Sequence, residues 1–214
     1  MKKIIFITVP IQKIDAVHYK VQGNTKLEYS GNVMSPINSI LAKTLKKEDE
    51  VKVIYVKEIQ TQQSNNDEKM KKELEEINKN VGAKIEYKTI CKSFEETQET
   101  HEKLLESLID ELEENAEVSA DITYGTKPLP FIIFNVLTFA AKFCNADITN
   151  VVYGKAEYEK DSMGETIYEN GKKKIKNCTI FDLSPLYYLN SISSTIKCED
   201  MNEAKQIIKK IINM

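Results

Sequence analysis

Residues 119–134 read SADITYGTKPLPFIIF, a short apolar strand that passes through Asp121, Thr123, Gly125, Thr126 and Lys127 into an almost wholly apolar helix. Strand, glycine turn and helix form the unit from which parallel α/β sheets are built. The turn also has the make-up of an anion site. Gly125 permits close backbone approach, Thr126 is placed to cap the helix, and Lys127 and Pro128 open it. Free amides and the positive end of the helix dipole complete the arrangement.

Working outward, the hydrophobic pattern alternates strand and helix along the chain. Strands are expected at residues 3–9, 51–57, 83–90, 118–122 and 147–153, and helices at 35–47, 65–81, 95–115 and 127–144. This order predicts an α/β, Rossmann-like doubly wound sheet, mostly parallel, with helices on both faces. In the helix at 95–115, Leu104, Leu105, Leu108, Ile109 and Leu112 form one stripe. The acidic residues around them read as a solvated face, and His101 as a packed histidine at its edge. The helix at 127–144 is apolar all round, with Leu129, Ile132, Ile133, Val136, Leu137 and Ala140 on one side and Phe131, Phe134 and Phe139 elsewhere. One sheet face cannot bury all of that, so a twin subunit is expected and the protein should be a homodimer.

Two β-hairpins interrupt the alternation. One is expected at residues 14–30 about Gly23-Asn24, and the other at 165–182 about Asn170-Gly171. The lysines at 172–174 read as a solvated hairpin edge. Asp200 and Glu203 open a last helix in a variant of the capping box. Residues 1–196 thus read as one domain and 197–214 as a C-terminal helical appendage.

Composition narrows the chemistry. All 30 basic residues are lysines, so no guanidinium fork is available to clamp a phosphate. The net charge of −3 argues against binding DNA or long RNA. Cys91, Cys144, Cys178 and Cys198 are scattered and read as reduced core thiols. No metal site and no cofactor are expected. No apolar run approaches the ~18 residues of a membrane span, and the opening segment is too short for a signal peptide, so a cytoplasmic location is expected.

Two junctions stand at the carboxyl ends of strands, where doubly wound sheets bind ligands. At the first, Thr8 and Pro10 end strand one, and Asn32 leads to Ser35-Pro36, a cap and first-turn pair. The second is the turn at Thr123, Tyr124, Gly125, Thr126, Lys127 and Pro128. There is no Gly-x-Gly-x-x-Gly and no Walker motif.

The segment DITYGTKPLP at residues 121–130 resembles the Asp-x-Thr-His-Gly-Phe-Arg-x-x-Pro signature of CRISPR-associated Rossmann fold (CARF) proteins. The order of strand, hairpin and GNVMSPINSIL at the N-terminus, Val152-Tyr153-Gly154 and the segment at 182–185 are similar too. The likeness extends over residues 1–196. Tyr124 stands for His, Thr126 for Phe and Lys127 for Arg. The resemblance implies a homodimeric sensor of cyclic oligoadenylate, the messenger of type III CRISPR antiviral defence. The ring, with tetra- or hexa-adenylate favoured, would lie across the two-fold axis on Thr8, Pro10, Asn32, Ser35 and residues 123–128. An alternative is a ring nuclease that cleaves this ligand without metal through 2′-hydroxyl attack, with Lys127, Thr8 and Ser35 supporting the developing charge. An unrelated nucleotide-binding enzyme on the same fold is a further alternative. The HEPN ribonuclease motif of many relatives needs arginine, so the chain is either a stand-alone sensor or the sensor part of a longer effector.

Overall fold

The fold is centred on β1 (Lys2–Thr8), whose Ile4, Ile5, Phe6 and Ile7 are all buried. Such a continuous apolar run belongs to a parallel strand covered on both faces. The structure, a computed structural model, describes residues 1–59, 65–93, 95–197 and 200–212. After β1 come a two-residue strand β2 (Lys20–Val21), α1 (Pro36–Thr44), β3 (Glu50–Ile59), α2 (Asn66–Asn78), β4 (Lys84–Ser93) and α3 (Gln98–Ile109). Then follow β5 (Glu117–Asp121), α4 (Leu129–Phe143), β6 (Asp147–Tyr158), β7 (Tyr168–Glu169), β8 (Lys172–Lys173), β9 (Ile175–Asp182), α5 (Ser184–Thr195) and α6 (Met201–Ile212).

Among the described residues, seven strands form one sheet in the order β2-β9-β6-β5-β1-β3-β4. The five from β6 to β4 run parallel, and β9 is antiparallel to β6. Ile5 and Ile7 pack with Ile37 and Ile40 of α1 and with Met70 and Leu74 of α2. On the other face, Ile4 and Phe6 meet Leu104 and Leu108 of α3 and Ile133 and Val136 of α4. The molecule is therefore an α/β sheet between two helical layers, compatible with a Rossmann-like fold. Because β1 pairs with both β3 and β5, the chain reverses its direction of travel between β1 and β5. In doubly wound sheets the crevice for a ligand opens at that reversal, beyond the carboxyl ends of the strands.

The hairpin expected at residues 14–30 is absent. Tyr19 and Val21 are buried on the α1 side, and β2 pairs parallel with β9 through Lys20–Thr179 and Val21–Ile180. The remainder makes a lone bridge from Val17 to Val33 and a 3-10 turn at Thr25–Leu27. The alternating pattern did mark a half-buried strand, but its partner lies near the other end of the sequence. At the second site Asn170 and Gly171 both have positive φ, 52° and 75°, and close a hairpin of only two residues a side. Positive φ at both central residues is the geometry that Asn-Gly supplies.

Of the cysteines, Cys178 is buried, Cys144 half-buried and Cys91 exposed, so the reading of all four as core thiols fails; Cys198 lies outside the described residues. Among the described residues no helix is long and apolar enough to cross a membrane. At the start of α6 the Asp200 carboxylate accepts from the Asn202 amide (2.9 Å), and the helix packs against α5 without burying any residue fully.

Gly154 of β6 sets the distance between sheet and α1. A Cβ there would lie 2.3 Å from Cγ of Pro36, at the first turn of α1, and 3.2 Å from the Tyr19 ring. Gly154→Ala is expected to destabilise the fold by about 1–3 kcal/mol through overpacking, read as a lower urea midpoint with an unchanged slope.

Candidate functional site

Asp121, the last residue of β5, is wholly buried beneath the crevice. Its Oδ2 accepts from the Ser35 hydroxyl (3.0 Å) and the Ile37 amide (3.1 Å), and its Oδ1 from the Thr123 amide (3.0 Å). Thr8 closes the other side: its hydroxyl donates to the Asp121 carbonyl (3.0 Å) and accepts from the Tyr124 amide (3.0 Å). Burial pushes the Asp121 carboxyl up against the pull of these bonds.

A second carboxylate serves the same helix end. Glu73 of α2 accepts from the amides of Met34 (2.6 Å) and Ser35 (3.4 Å) and from the Asn38 side chain (2.7 Å). The anion at the start of α1 is thus supplied by the protein itself. Ser35 does not cap α1 with its own side chain; its hydroxyl is turned onto Asp121. Thr8, Pro10 and Ser35 are buried, and Asn32 alone of the first junction is exposed. The hydroxyls of Thr8 and Ser35 are committed to the scaffold, which removes the support they would lend to ring cleavage.

The second junction divides between inward and outward groups. Thr126 does not cap α4. Its amide donates to Glu58 (3.2 Å), its hydroxyl accepts from Lys92 (3.3 Å), and Pro128 takes the cap position without a side-chain bond. The Lys92 side chain is fully buried, 2.7 Å from Glu96 and 3.6 Å from Glu58, whose other oxygen has no partner among the described residues. His101 is bonded to Glu96 rather than simply packed. Partial burial pushes the Glu96 carboxyl up, but bonds from Lys92, Thr126 and His101 outweigh it and hold the group at about 2.

What faces outward is small. Gly125 has φ +93°, and a Cβ would fall 2.6 Å from a Leu129 methyl, so only glycine fits. Among the described residues, the amides of Gly125 and Lys127 have no hydrogen-bond partner and the Lys127 ammonium has no carboxylate. Two unpaired amides and one cation on an exposed turn are donors of the kind that bind anions. The Tyr124 hydroxyl is turned inward and donates to the Met34 carbonyl (2.9 Å), which ties the turn to the strip that carries Asn32.

Thr123 and Tyr124 also line a cavity of about 360 Å³ with Tyr19, Gly154, Tyr158, Lys13 and Lys173. The last three of these side-chain groups, Tyr158, Lys13 and Lys173, escape a reading of the sequence. The hairpin signal at Asn170-Gly171 located the lysine run, but nothing local shows that the hairpin folds back over β6. Lys173 is accordingly a cavity residue and not merely part of a solvated edge, whereas Lys174 pairs with Glu159 (3.1 Å). No protein-family model matches the chain, and no curated protein matches it.

Asp121→Ala would orphan a buried hydroxyl and two amides. A loss of about 2–4 kcal/mol in unfolding free energy is expected, measured by urea titration. Glu96 gives a pH signature. Its carboxyl is depressed on folding, so its contribution is complete above the ordinary carboxylate range and fades as pH falls toward about 2. Wild type should outlast Glu96→Gln in thermal unfolding at pH 6, with the gap closing by pH 2.5.

Proposed function

We propose that the chain is a sensor of cyclic oligoadenylate that acts as a homodimer, in keeping with its resemblance to CARF proteins. The observation that carries this reading is the turn at residues 123–128. It stands at the reversal point of the sheet, and its outward groups, two amides and Lys127, are the ones left unneutralised when internal carboxylates have taken the inward amides. A phosphodiester is the ligand class that such a receptor accepts, and in the absence of arginine it is met by amides and lysine alone.

The homodimer is supported by α4. Phe131 is 74% exposed at the start of this helix and Phe143 71% at its end, while Ile133 and Val136 between them are packed on the sheet. Phe131 lies about one helical turn beyond Lys127. A second copy set against this face brings two turns together about a two-fold axis. Rings of four or six nucleotides contain that axis, which favours tetra- and hexa-adenylate over the three-membered ring.

Calorimetry with cyclic tri-, tetra- and hexa-adenylate tests the reading. Lys127→Ala should weaken binding at least tenfold, about 1.4 kcal/mol, and Phe131→Asp should halve the sedimenting mass and weaken the ring as well. Absence of binding to any of the three rings at micromolar protein would refute the proposal. Recovery of intact ring after hours in EDTA separates a sensor from a ring nuclease.

A further inference from the structure

We infer that the cavity beside the turn is a nucleotide subsite, in which a planar base enters between tyrosines and its phosphate is held by Lys13 and Lys173. The inference rests on the proposed function and extends it from the backbone of the ligand to its bases.

The cavity of about 360 Å³ falls within the ~300–1,000 Å³ of ordinary small-molecule sites. Its inner wall is aromatic and closed to ionisation. Burial pushes the Tyr19 phenol up to about 12 and the Tyr124 phenol higher still. Both stay neutral at working pH, so no charge opposes entry of an uncharged ring. Tyr158 is 38% exposed in β6, and the Lys173 ammonium sits 5.3 Å from its ring centroid. A cation over a tyrosine face leaves an aromatic platform and a positive charge side by side, the pairing that single nucleotides need. Lys13 approaches from the loop after β1, on the other side of the opening.

The charges support the same assignment. Other lysines nearby are neutralised: Lys155 pairs with Glu157 (2.8 Å) and Lys174 with Glu159. Lys13 and Lys173 form no ion pair among the described residues, and they share the lining with one carboxylate, Asp15. Thr123 completes the link to the turn. Its hydroxyl accepts from the Gly154 amide (2.8 Å), so one residue borders both the cavity and the phosphate-binding loop. The turn at residues 125–127 therefore begins one residue beyond Tyr124, which lines the cavity.

The test uses the whole chain, adenosine 5′-monophosphate and cyclic tetra-adenylate as probes, and the double variant Lys13→Gln/Lys173→Gln. Both lysines are exposed, so the variant should melt as wild type does, and Lys79→Gln serves as a matched surface control. The double variant should bind each probe at least roughly tenfold more weakly, and Tyr158→Leu should weaken the monophosphate to a similar degree. Equal ring affinity in wild type and the double variant would overturn the subsite and leave the proposed function standing. Binding of the monophosphate but of no ring, with the monophosphate lost in the double variant, would uphold the subsite and overturn the sensor. Failure of wild type to bind the monophosphate or any of cyclic tri-, tetra- and hexa-adenylate would overturn both.

Discussion

The carboxylate of Asp121 lies out of water at the amino end of α1, and the upper part of the molecule is organised round it. Its two oxygens hold a hydroxyl and an amide of α1 and the first amide of the turn after β5, while its own carbonyl receives Thr8 from β1. Burial alone would make an ionised carboxyl costly. Three hydrogen bonds and the dipole of α1 oppose that cost. Two strands, a helix and the turn are joined at one group. The path of residues 123–128 follows from that junction rather than from the turn's own preferences.

The same device recurs. Glu73 satisfies the amides before α1, and Glu58 satisfies the amide of Thr126. Internal carboxylates thus occupy the inward donors at the carboxyl end of the sheet. Buried Lys92 stands against Glu58 and Glu96 and prevents that end from becoming wholly negative. An incoming anion meets what remains outside: the amides of Gly125 and Lys127, the Lys127 ammonium and the lysines at the mouth of the cavity.

The start of α4 couples this receptor to the apolar surface. Pro128 and Pro130 remove two donors from the first turn, and Leu129 and Phe131 donate to Thr126 and Pro128 instead. Helix, turn and exposed phenylalanine therefore form one stiff unit.

The residue pattern alone dictates the parallel layers, because strands covered on both faces must be apolar throughout and helices on one face must carry a stripe. It also dictates the turn at 123–128, since Gly125 has to adopt a positive φ and the prolines have to begin a helix. What those groups face depends on long-range packing. Ser35 and Thr8 look like ligand-binding hydroxyls, and they are spent on the carboxylate and the backbone carbonyl of Asp121, 86 residues from Ser35, a pairing no local pattern records. Likewise Val21 reads as part of a local hairpin and pairs with Ile180, and Lys173 reads as an edge residue and borders a cavity. Periodicity reports which side of an element is buried because burial is a property of the residue. The partner is a property of the packing, and it is settled by which distant surfaces exclude water together.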